Sequence, residues 1–306
     1  MSPTAEDVEY DREHSAPNPP RRGLRKGLYL IPSAFTAANI GMGFFSIMAS
    51  LRGFQLLGAT TPDTAAAAAH FDNAAIAIGW ALLFDMLDGR IARLTKTTTE
   101  IGIQLDSIAD VVTFGIAPAI LAYVWGYGVG LTEGSDLHRL AWFLSFLFLM
   151  CGAFRLARFN VQASRPRILA EGTVKVDKKS FVGLPIPVAG GLIAALVHFS
   201  PQPLIYFGPE RARIYAGLLM LLVLSLSLMM VSTLRFSSFK TVGTNARSMR
   251  TIILVLAVGM LIFLYSQYVL LAIVIMYIGY GLLSRVAGIF WRRGDAAETK
   301  VEVSRS

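Results

Sequence analysis

The sequence has little charge, one cysteine and four histidines, and each shortage excludes a class of protein. Only 16% of its 306 residues are charged while 54% are hydrophobic, which is far from the balance of a soluble domain. Cys151 is the only cysteine, so the chain cannot form an internal disulfide. The histidines are scattered along the chain, and no histidine metal site, glycine-rich nucleotide loop or Ser–His–Asp set is apparent.

The hydrophobic residues cluster in runs long enough to cross a bilayer as helices. About 20 apolar residues span the hydrocarbon core. We therefore predict an all-α integral membrane protein with six to eight transmembrane helices, the last two separated only by the stretch YSQY. The candidate spans are 31–51, 73–93, 104–129, 139–160, 183–200, 212–232, 251–266 and 267–288.

The basic residues predict the orientation of these spans. With the N-terminus inside, 24 of the 28 Lys and Arg residues fall on the cytoplasmic side, and only Arg52, Arg139, Arg211 and Arg213 fall outside. The net charge of +8 is then explained by a basic inner face beside anionic lipid headgroups, so it implies no nucleic-acid partner.

Four aspartates lie where lipid would be expected: Asp85, Asp88, Asp106 and Asp110. A carboxylate within a span is costly unless it faces water, a cation or a counter-charge. At about 100° per residue, Asp85 and Asp88 share one helix face with Gly89 and Ala92. On the next helix, spacings of four place Gly102, Asp106 and Asp110 on one face. The short connection predicts a hairpin in which the two acidic faces oppose each other.

Oxygen ligands without His or Cys indicate a hard divalent cation, Mg²⁺ or Mn²⁺, with one or two ions per site. The gap beside the carboxylates, next to Arg93, would suit a diphosphate. Two other interpretations stay open: the acids could be solvated helix caps, or they could form the permeation site of a divalent-cation transporter.

The spacing of these residues resembles the signature of the CDP-alcohol phosphotransferases. The matching positions are Asp85, Asp88, Gly89, Ala92, Arg93, Gly102, Asp106 and Asp110. The resemblance implies a core of six membrane helices, here with two further C-terminal transmembrane helices, and a site that opens to the cytosol. It also implies a phosphoryl group moved from a CDP-linked lipid or alcohol to an acceptor hydroxyl, with release of CMP.

The same resemblance implies roles for individual residues. The four aspartates would bind two divalent ions, and Asp110 would also be the general base. The residues implied to border or contact the CDP-lipid are Thr36, Asn39, Gly89, Ala92, Arg93, Thr99 and Gly102. For Thr36 and Asn39 a bond to a neighbouring helix is the alternative.

Three further segments bear on the acceptor: CGAFRLARFNVQ (151–162), FVGLPIPVAGG (181–191) and MMVSTLRFSSFK (229–240). Together they resemble the membrane-embedded phosphatidylserine synthases, which implies CDP-diacylglycerol and L-serine as substrates. Arg155, Arg158 and Asn160 are the candidate acceptor contacts, because a guanidinium can hold a carboxylate in a fork. The arginines could instead be ordinary topology anchors. Glycerol phosphate, inositol phosphate and choline remain alternative acceptors.

The domain organisation follows from these patterns and the resemblance. We expect a disordered cytosolic leader (1–26), a catalytic core (27–245), a C-terminal transmembrane hairpin (246–290) and a cytosolic tail (291–306). The resemblance also implies a homodimer in contact with membrane lipids, in the inner membrane if the source is bacterial.

Overall fold

The computed structural model describes residues 22–95, 100–128, 130–164, 180–232, 235–237 and 265–280. Within them, side chains are not described for 22–32, 92, 93, 95, 162–164, 180–182 and 235–237. The α-helices in these ranges are α1 Arg22–Leu57, α2 Thr64–Thr95, α3 Glu100–Asp110, α4 Ala117–Gly126, α5 Asp136–Ser164, α6 Ile186–Phe199, α7 Pro209–Val231 and α8 Tyr265–Tyr280. The other elements are a π-helical turn (Val111–Ile116), a 3₁₀ turn (Leu204–Phe207) and strands β1 Ser180–Val182 and β2 Arg235–Ser237.

The helices confirm the prediction of an all-α membrane protein. By length and composition, four described helical segments can cross a membrane: Ser33–Leu57, Glu100–Gly126, Asp136–Val161 and Pro209–Val231. They correspond to the first, third, fourth and sixth predicted spans. α2 is 32 residues long but carries three aspartates, and α6 and α8 are shorter apolar helices. Most of the predicted seventh span lies outside the described residues.

A short-range cap and small side chains explain the α1–α2 hairpin. The Asp63 carboxylate accepts a 2.9 Å hydrogen bond from the Ala66 amide and so caps the start of α2. One face of α2 is nearly all alanine, and it packs closely on α1. A Cβ on Gly53 of α1 would lie 2.7 Å from the Phe71 ring, so the two helices touch at a position where only glycine fits.

A π-helical turn interrupts the third span directly after Asp110. The Ala117 amide donates to the Val112 carbonyl, five residues back, where an α-helix would use four. Pro118 provides a reason, because its ring nitrogen cannot donate to the Phe114 carbonyl. Thr113, within the turn, donates to the Asn39 carbonyl at 3.2 Å and so ties the turn to α1.

The segment before α6 is shaped by one glycine and two prolines. Gly183 has φ of +84°, and a Cβ there would lie 2.4 Å from the Met230 carbonyl oxygen. Pro185 precedes α6, and Pro187 lies in its first turn. Strands β1 and β2 pair antiparallel, Phe181 with Phe236, so the chain before α6 runs beside the chain after α7.

The core lies between α2, α4, α5, α6 and α7. Its largest fully buried side chains are Phe71, Phe114, Leu121, Tyr127, Phe148, Leu184, Ile186, Ile193, Leu226 and Met230, with Ile78. Large apolar side chains also cover the outside, among them Phe44, Trp142 and Leu221, each at least 60% exposed. Exposed apolar side chains of this size fit a surface that faces lipid.

Candidate active site

Three of the four predicted metal ligands meet where α2 and α3 face each other. Asp85, Asp88 and Asp106 each offer one carboxylate oxygen, and these oxygens lie within 4.8 Å of one another. Asp88 is only 5% exposed, and the other two are partly buried. The structure thus brings together three of these carboxylates, two from α2 and one from α3. Carboxylates this close repel one another, so the arrangement favours a cation between them.

α1 carries two buried polar side chains, Thr36 and Asn39. The Thr36 hydroxyl donates a 2.8 Å hydrogen bond to Asp88 Oδ2. Asn39, one turn further along α1, is fully buried, and neither its Oδ1 nor its Nδ2 has a hydrogen-bond partner among the described residues. A buried amide without partners is costly, so this side chain is suited to receive a ligand.

Asp110 is the last residue of α3. Its carboxylate interacts electrostatically with Asp85 and Asp106, and with the positive charge of Arg155 on α5. Asp110 Oδ1 is buried, and no described group donates a hydrogen bond to it. This oxygen can therefore accept a proton or bind a cation without first losing another partner. We refer to Asp85, Asp88, Asp106 and Asp110 as the aspartate cluster.

The three candidate acceptor-binding residues on α5 make different contacts. The Arg155 guanidinium lies 5.8 Å above the centre of the Phe159 ring, and its buried Nε has no partner in the described part of the chain. Arg158 Nη1 lies 3.5 Å from the Val231 carbonyl oxygen at the end of α7. Asn160 Nδ2 donates to Ser107 Oγ at 2.8 Å, next to Asp106 in sequence. Of the three, Arg155 is the residue whose charge acts on Asp110.

The remaining predicted CDP contacts are only partly described. Gly89 on α2 is partly buried and Gly102 on α3 is exposed. Ala92 and Arg93 continue α2 beyond the aspartates, but their side chains are outside the described set. Thr99 lies outside the described residues altogether.

The structure also forms a polar chain that the sequence did not indicate. His198 Nδ1 lies 2.5 Å from Asp72 Oδ1, and His198 Nε2 lies 2.8 Å from Ser266 Oγ. A Ser–His–Asp set is therefore present, contrary to expectation, and it joins α2, α6 and α8. The three residues come from distant segments of the sequence. The only signal for their contact is the position of Asp72 near the start of one predicted span and of His198 near the end of another.

A known protein family matches the part of the chain that contains this site. The sequence model of "CDP-alcohol phosphatidyltransferase" matches residues 29–229. This range includes the whole aspartate cluster, Thr36, Asn39 and the arginines of α5.

Relatives with assigned activities are similar over much of the chain. A protein of Helicobacter pylori (strain J99), named CDP-diacylglycerol–serine O-phosphatidyltransferase, is 34% identical over 257 residues, covering 84% of this chain and 91% of the relative. A Saccharomyces cerevisiae protein of the same name is 36% identical over 56% of this chain and 54% of its own length. One from Methanocaldococcus jannaschii is 39% identical over 46% and 56%, respectively.

Proposed function

The chain belongs to the CDP-alcohol phosphatidyltransferase family, and from that premise we propose that it transfers the phosphatidyl group of CDP-diacylglycerol to L-serine, giving phosphatidylserine and CMP. The observation that carries the proposal is the meeting of Asp85, Asp88 and Asp106, with one carboxylate oxygen of each within 4.8 Å of the others, inside the segment that the family model matches. The serine assignment is supported by relatives of that name at 34% identity over 84% of the chain.

The residues fit a divalent-metal centre. The donor set consists of carboxylate oxygens, which suits Mg²⁺ or Mn²⁺, and the buried Asp110 Oδ1 lacks a partner among the described residues. We assign Asp85, Asp88 and Asp106 to the first ion, and Asp110, with some of the same carboxylates, to a second. When bound, the ions supply neutralisation of the diphosphate and stabilisation of the charge on departing CMP.

Residues of three helices would hold the CDP-lipid. Thr36 fixes the orientation of Asp88 through its hydrogen bond, and the buried Asn39 amide, which has no partner among the described residues, would bind the nucleotide. We assign the adjoining space and contacts to Gly89, Ala92, Arg93, Thr99 and Gly102. The small side chains would let the diphosphate approach the helix backbone closely, and Arg93 would add a positive charge.

The proposed reaction needs one base and one displaced group. The hydroxyl oxygen of L-serine forms a bond to the phosphorus that carries diacylglycerol, the bond from that phosphorus to the CMP oxygen breaks, and the hydroxyl proton passes to Asp110. Asp110 suits this role because one oxygen of its partly buried carboxylate lacks a partner in the described part of the chain, and Arg155 compensates its charge.

The acceptor side of the site is assigned to α5. Arg155 interacts electrostatically with Asp110, and its buried Nε has no partner among the described residues, so it would bind the serine carboxylate near the base. Arg158 and Asn160 already contact Val231 and Ser107. These two would support the site by holding α7 and α3 in place rather than by binding serine directly.

Release of CMP from CDP-diacylglycerol in detergent with Mn²⁺ or Mg²⁺ tests the function. We expect release to require L-serine and to be lost, by about 10²-fold or more, in Asp110→Asn. CMP release that requires glycerol phosphate, inositol phosphate or choline instead of serine would support phosphatidyl transfer but reject L-serine as the acceptor. No release with any acceptor, together with divalent-cation uptake into liposomes, would favour a transporter.

Orientation and assembly belong to the same proposal. The positions of the Lys and Arg residues support a cytoplasmic N-terminus and a site open to the cytoplasm. Since Cys151 is the only cysteine, a Cys151→Ser chain with single new cysteines in the 90–96 and 201–203 segments can report sidedness in whole cells. The family resemblance supports a homodimer, which light scattering of the detergent-purified protein would reveal.

A further inference from the structure

The π-helical turn carries a polar side chain that no proposed step of the reaction uses. Thr113 is fully buried, and its hydroxyl donates a 3.2 Å hydrogen bond to the Asn39 carbonyl of α1. The turn begins directly after Asp110, so Thr113 follows the proposed base by three residues of continuous helical backbone. Single π-helical turns of this kind recur at functional sites. One hydrogen bond therefore joins α1 to the segment that carries Asp110.

The backbone of α1 leaves room for this side chain. A Cβ on Gly43 would overlap Thr113 Oγ1 and would lie 3.0 Å from Thr113 Cα. Asn39 and Gly43 are four residues apart, so they lie on one face of α1. The Thr113 hydroxyl thus lies against the glycine while it bonds to the carbonyl one turn earlier. The hydrogen bond depends on glycine at position 43, because a larger residue would displace the hydroxyl.

The two positions that this hydrogen bond joins carry buried side-chain atoms without partners. Neither Oδ1 nor Nδ2 of Asn39 has a hydrogen-bond partner among the described residues, and the same holds for Asp110 Oδ1. Buried polar atoms in this state are suited to bind a ligand. The bond runs from the turn next to Asp110 to the backbone of Asn39. It therefore limits how far these two side chains can move apart.

α1 is also joined directly to the aspartate cluster. The Thr36 hydroxyl bonds to Asp88 Oδ2 at 2.8 Å, and Thr36 precedes Asn39 by three residues, less than one helical turn. Two threonine hydroxyls thus connect α1 to both helical segments that carry the acids. Because the rate of a transfer step depends on how precisely the reacting groups are held, losing such a connection should lower kcat.

We propose that Thr113 is a positioning residue for the transfer step, holding the turn after Asp110 against α1 at Asn39 so that the base and the nucleotide-binding amide keep one relative geometry. This inference rests on the proposed function. It adds to the site a residue of the third span that acts through Asp110 rather than on the substrates.

The test compares Thr113→Val, which keeps the shape and removes the hydroxyl, with Thr113→Ser, which keeps the hydroxyl and removes a methyl group. We expect kcat for CMP release to fall about tenfold in Thr113→Val and to stay within about threefold of wild type in Thr113→Ser. The KM for L-serine should be unchanged in both, because the proposed serine contact lies on α5. Ser227→Ala is the control and should keep the wild-type kcat, since the buried Ser227 hydroxyl donates only within α7, to the Val223 carbonyl at 2.7 Å.

Melting temperatures separate positioning from a general loss of stability. Thr113→Ser deletes a buried methyl group and should unfold at a lower temperature than wild type, yet it should remain active. If kcat instead falls with the melting temperature across these variants, Thr113 is only structural and the inference is overturned. An unchanged kcat in Thr113→Val, or an equal loss in Thr113→Ser, would overturn it as well.

Glycine substitutions on α1 test the same contact from the other helix. Gly43→Ala should displace the Thr113 hydroxyl and lower kcat, and Thr113→Val should then add little to that loss. Gly41→Ala is the matched control and should keep full activity, since a Cβ there meets nothing described within 4 Å. Additive losses in the double variant Gly43→Ala/Thr113→Val would overturn the inference. A wild type that releases no CMP with any acceptor would instead overturn the proposed function, and the inference with it.

Discussion

The hydroxyl of Thr36 donates a 2.8 Å hydrogen bond to Oδ2 of Asp88, joining α1 to the aspartate cluster across 52 positions of sequence. Asp88 is the most buried of the four acids, so this bond occupies one of its oxygens in a place that water reaches poorly. The bond limits the rotation of the Asp88 carboxylate, which also lies close to Asp85 and Asp106. A residue on the first helix thereby determines the geometry of ligands on the second.

Thr36→Val keeps the shape of the side chain and removes this bond. We expect the Mn²⁺ concentration for half-maximal CMP release to rise about tenfold, as is usual when a group that orients a metal ligand is lost. Ser50→Ala is the control on the same helix, because the Ser50 hydroxyl donates only within α1, to the Ser46 carbonyl. An unchanged Mn²⁺ requirement in Thr36→Val would show that the bond does not position Asp88 for a metal.

Asp106→Asn should change stability in opposite directions with and without metal. Without metal, removing one of three close negative charges relieves repulsion, so the melting temperature in detergent with EDTA should rise by about 2 °C. With Mn²⁺, the stabilisation seen in wild type should be much reduced, because a ligand is lost.

Asp136→Asn is the matched control for this measurement, since Asp136 is fully exposed and pairs only with Arg139 at 3.7 Å among the described residues. Its melting temperature should follow wild type in both conditions. If Mn²⁺ stabilises Asp106→Asn as strongly as wild type, Asp106 is not a ligand.

The opposed aspartate faces could be predicted from the sequence because they depend only on local rules. Helical spacing fixed which side chains share a face, and a short connection fixed that the two helices are neighbours. Helix boundaries could also be predicted, because hydropathy is a local property of the sequence. The helix Pro209–Val231, for example, corresponds to the predicted span 212–232.

The π-helical turn and the Asp72–His198–Ser266 chain could not be predicted in the same way. Pro118 was a local signal for a distortion, but the turn after Asp110 also depends on packing by α1 and α6. The histidine chain depends on which helices lie side by side, and hydropathy carries no such information. For the same reason the roles of Arg155 and Arg158, equivalent in sequence, separate only in three dimensions.

His198→Ala should destabilise the protein through the attachment of α8. The substitution leaves Asp72 and Ser266 without their shared partner, which we expect to cost about 2 kcal/mol. A lower melting temperature of the detergent-purified protein would report the loss. His70→Ala, at a partly buried position of α2, should have a smaller effect, and equal melting temperatures for the two variants would contradict a stabilising role for the Asp72–His198–Ser266 chain.

Adjacent glycines on α6 provide the sharpest test of how the fold supports the site. A Cβ on Gly190 would lie 2.7 Å from the Phe114 carbonyl oxygen, in the π-helical turn, and 2.9 Å from Pro118 Cγ, in the first turn of α4. A Cβ on Gly191 would meet nothing described within 4 Å.

Gly190→Ala must push α6 away from the turn or shift the turn itself, and Asp110 directly precedes that turn. We expect destabilisation of about 1–3 kcal/mol, as for other overpacked contacts, together with a lower kcat for CMP release. Gly191→Ala should be neutral or more stable by about 0.5–1 kcal/mol, because alanine favours a helix interior over glycine, and should keep full activity. Thermal unfolding and steady-state rates of the two variants measure both effects. Equal behaviour of the pair would mean that the close approach of α6 to the turn does not support the geometry of Asp110.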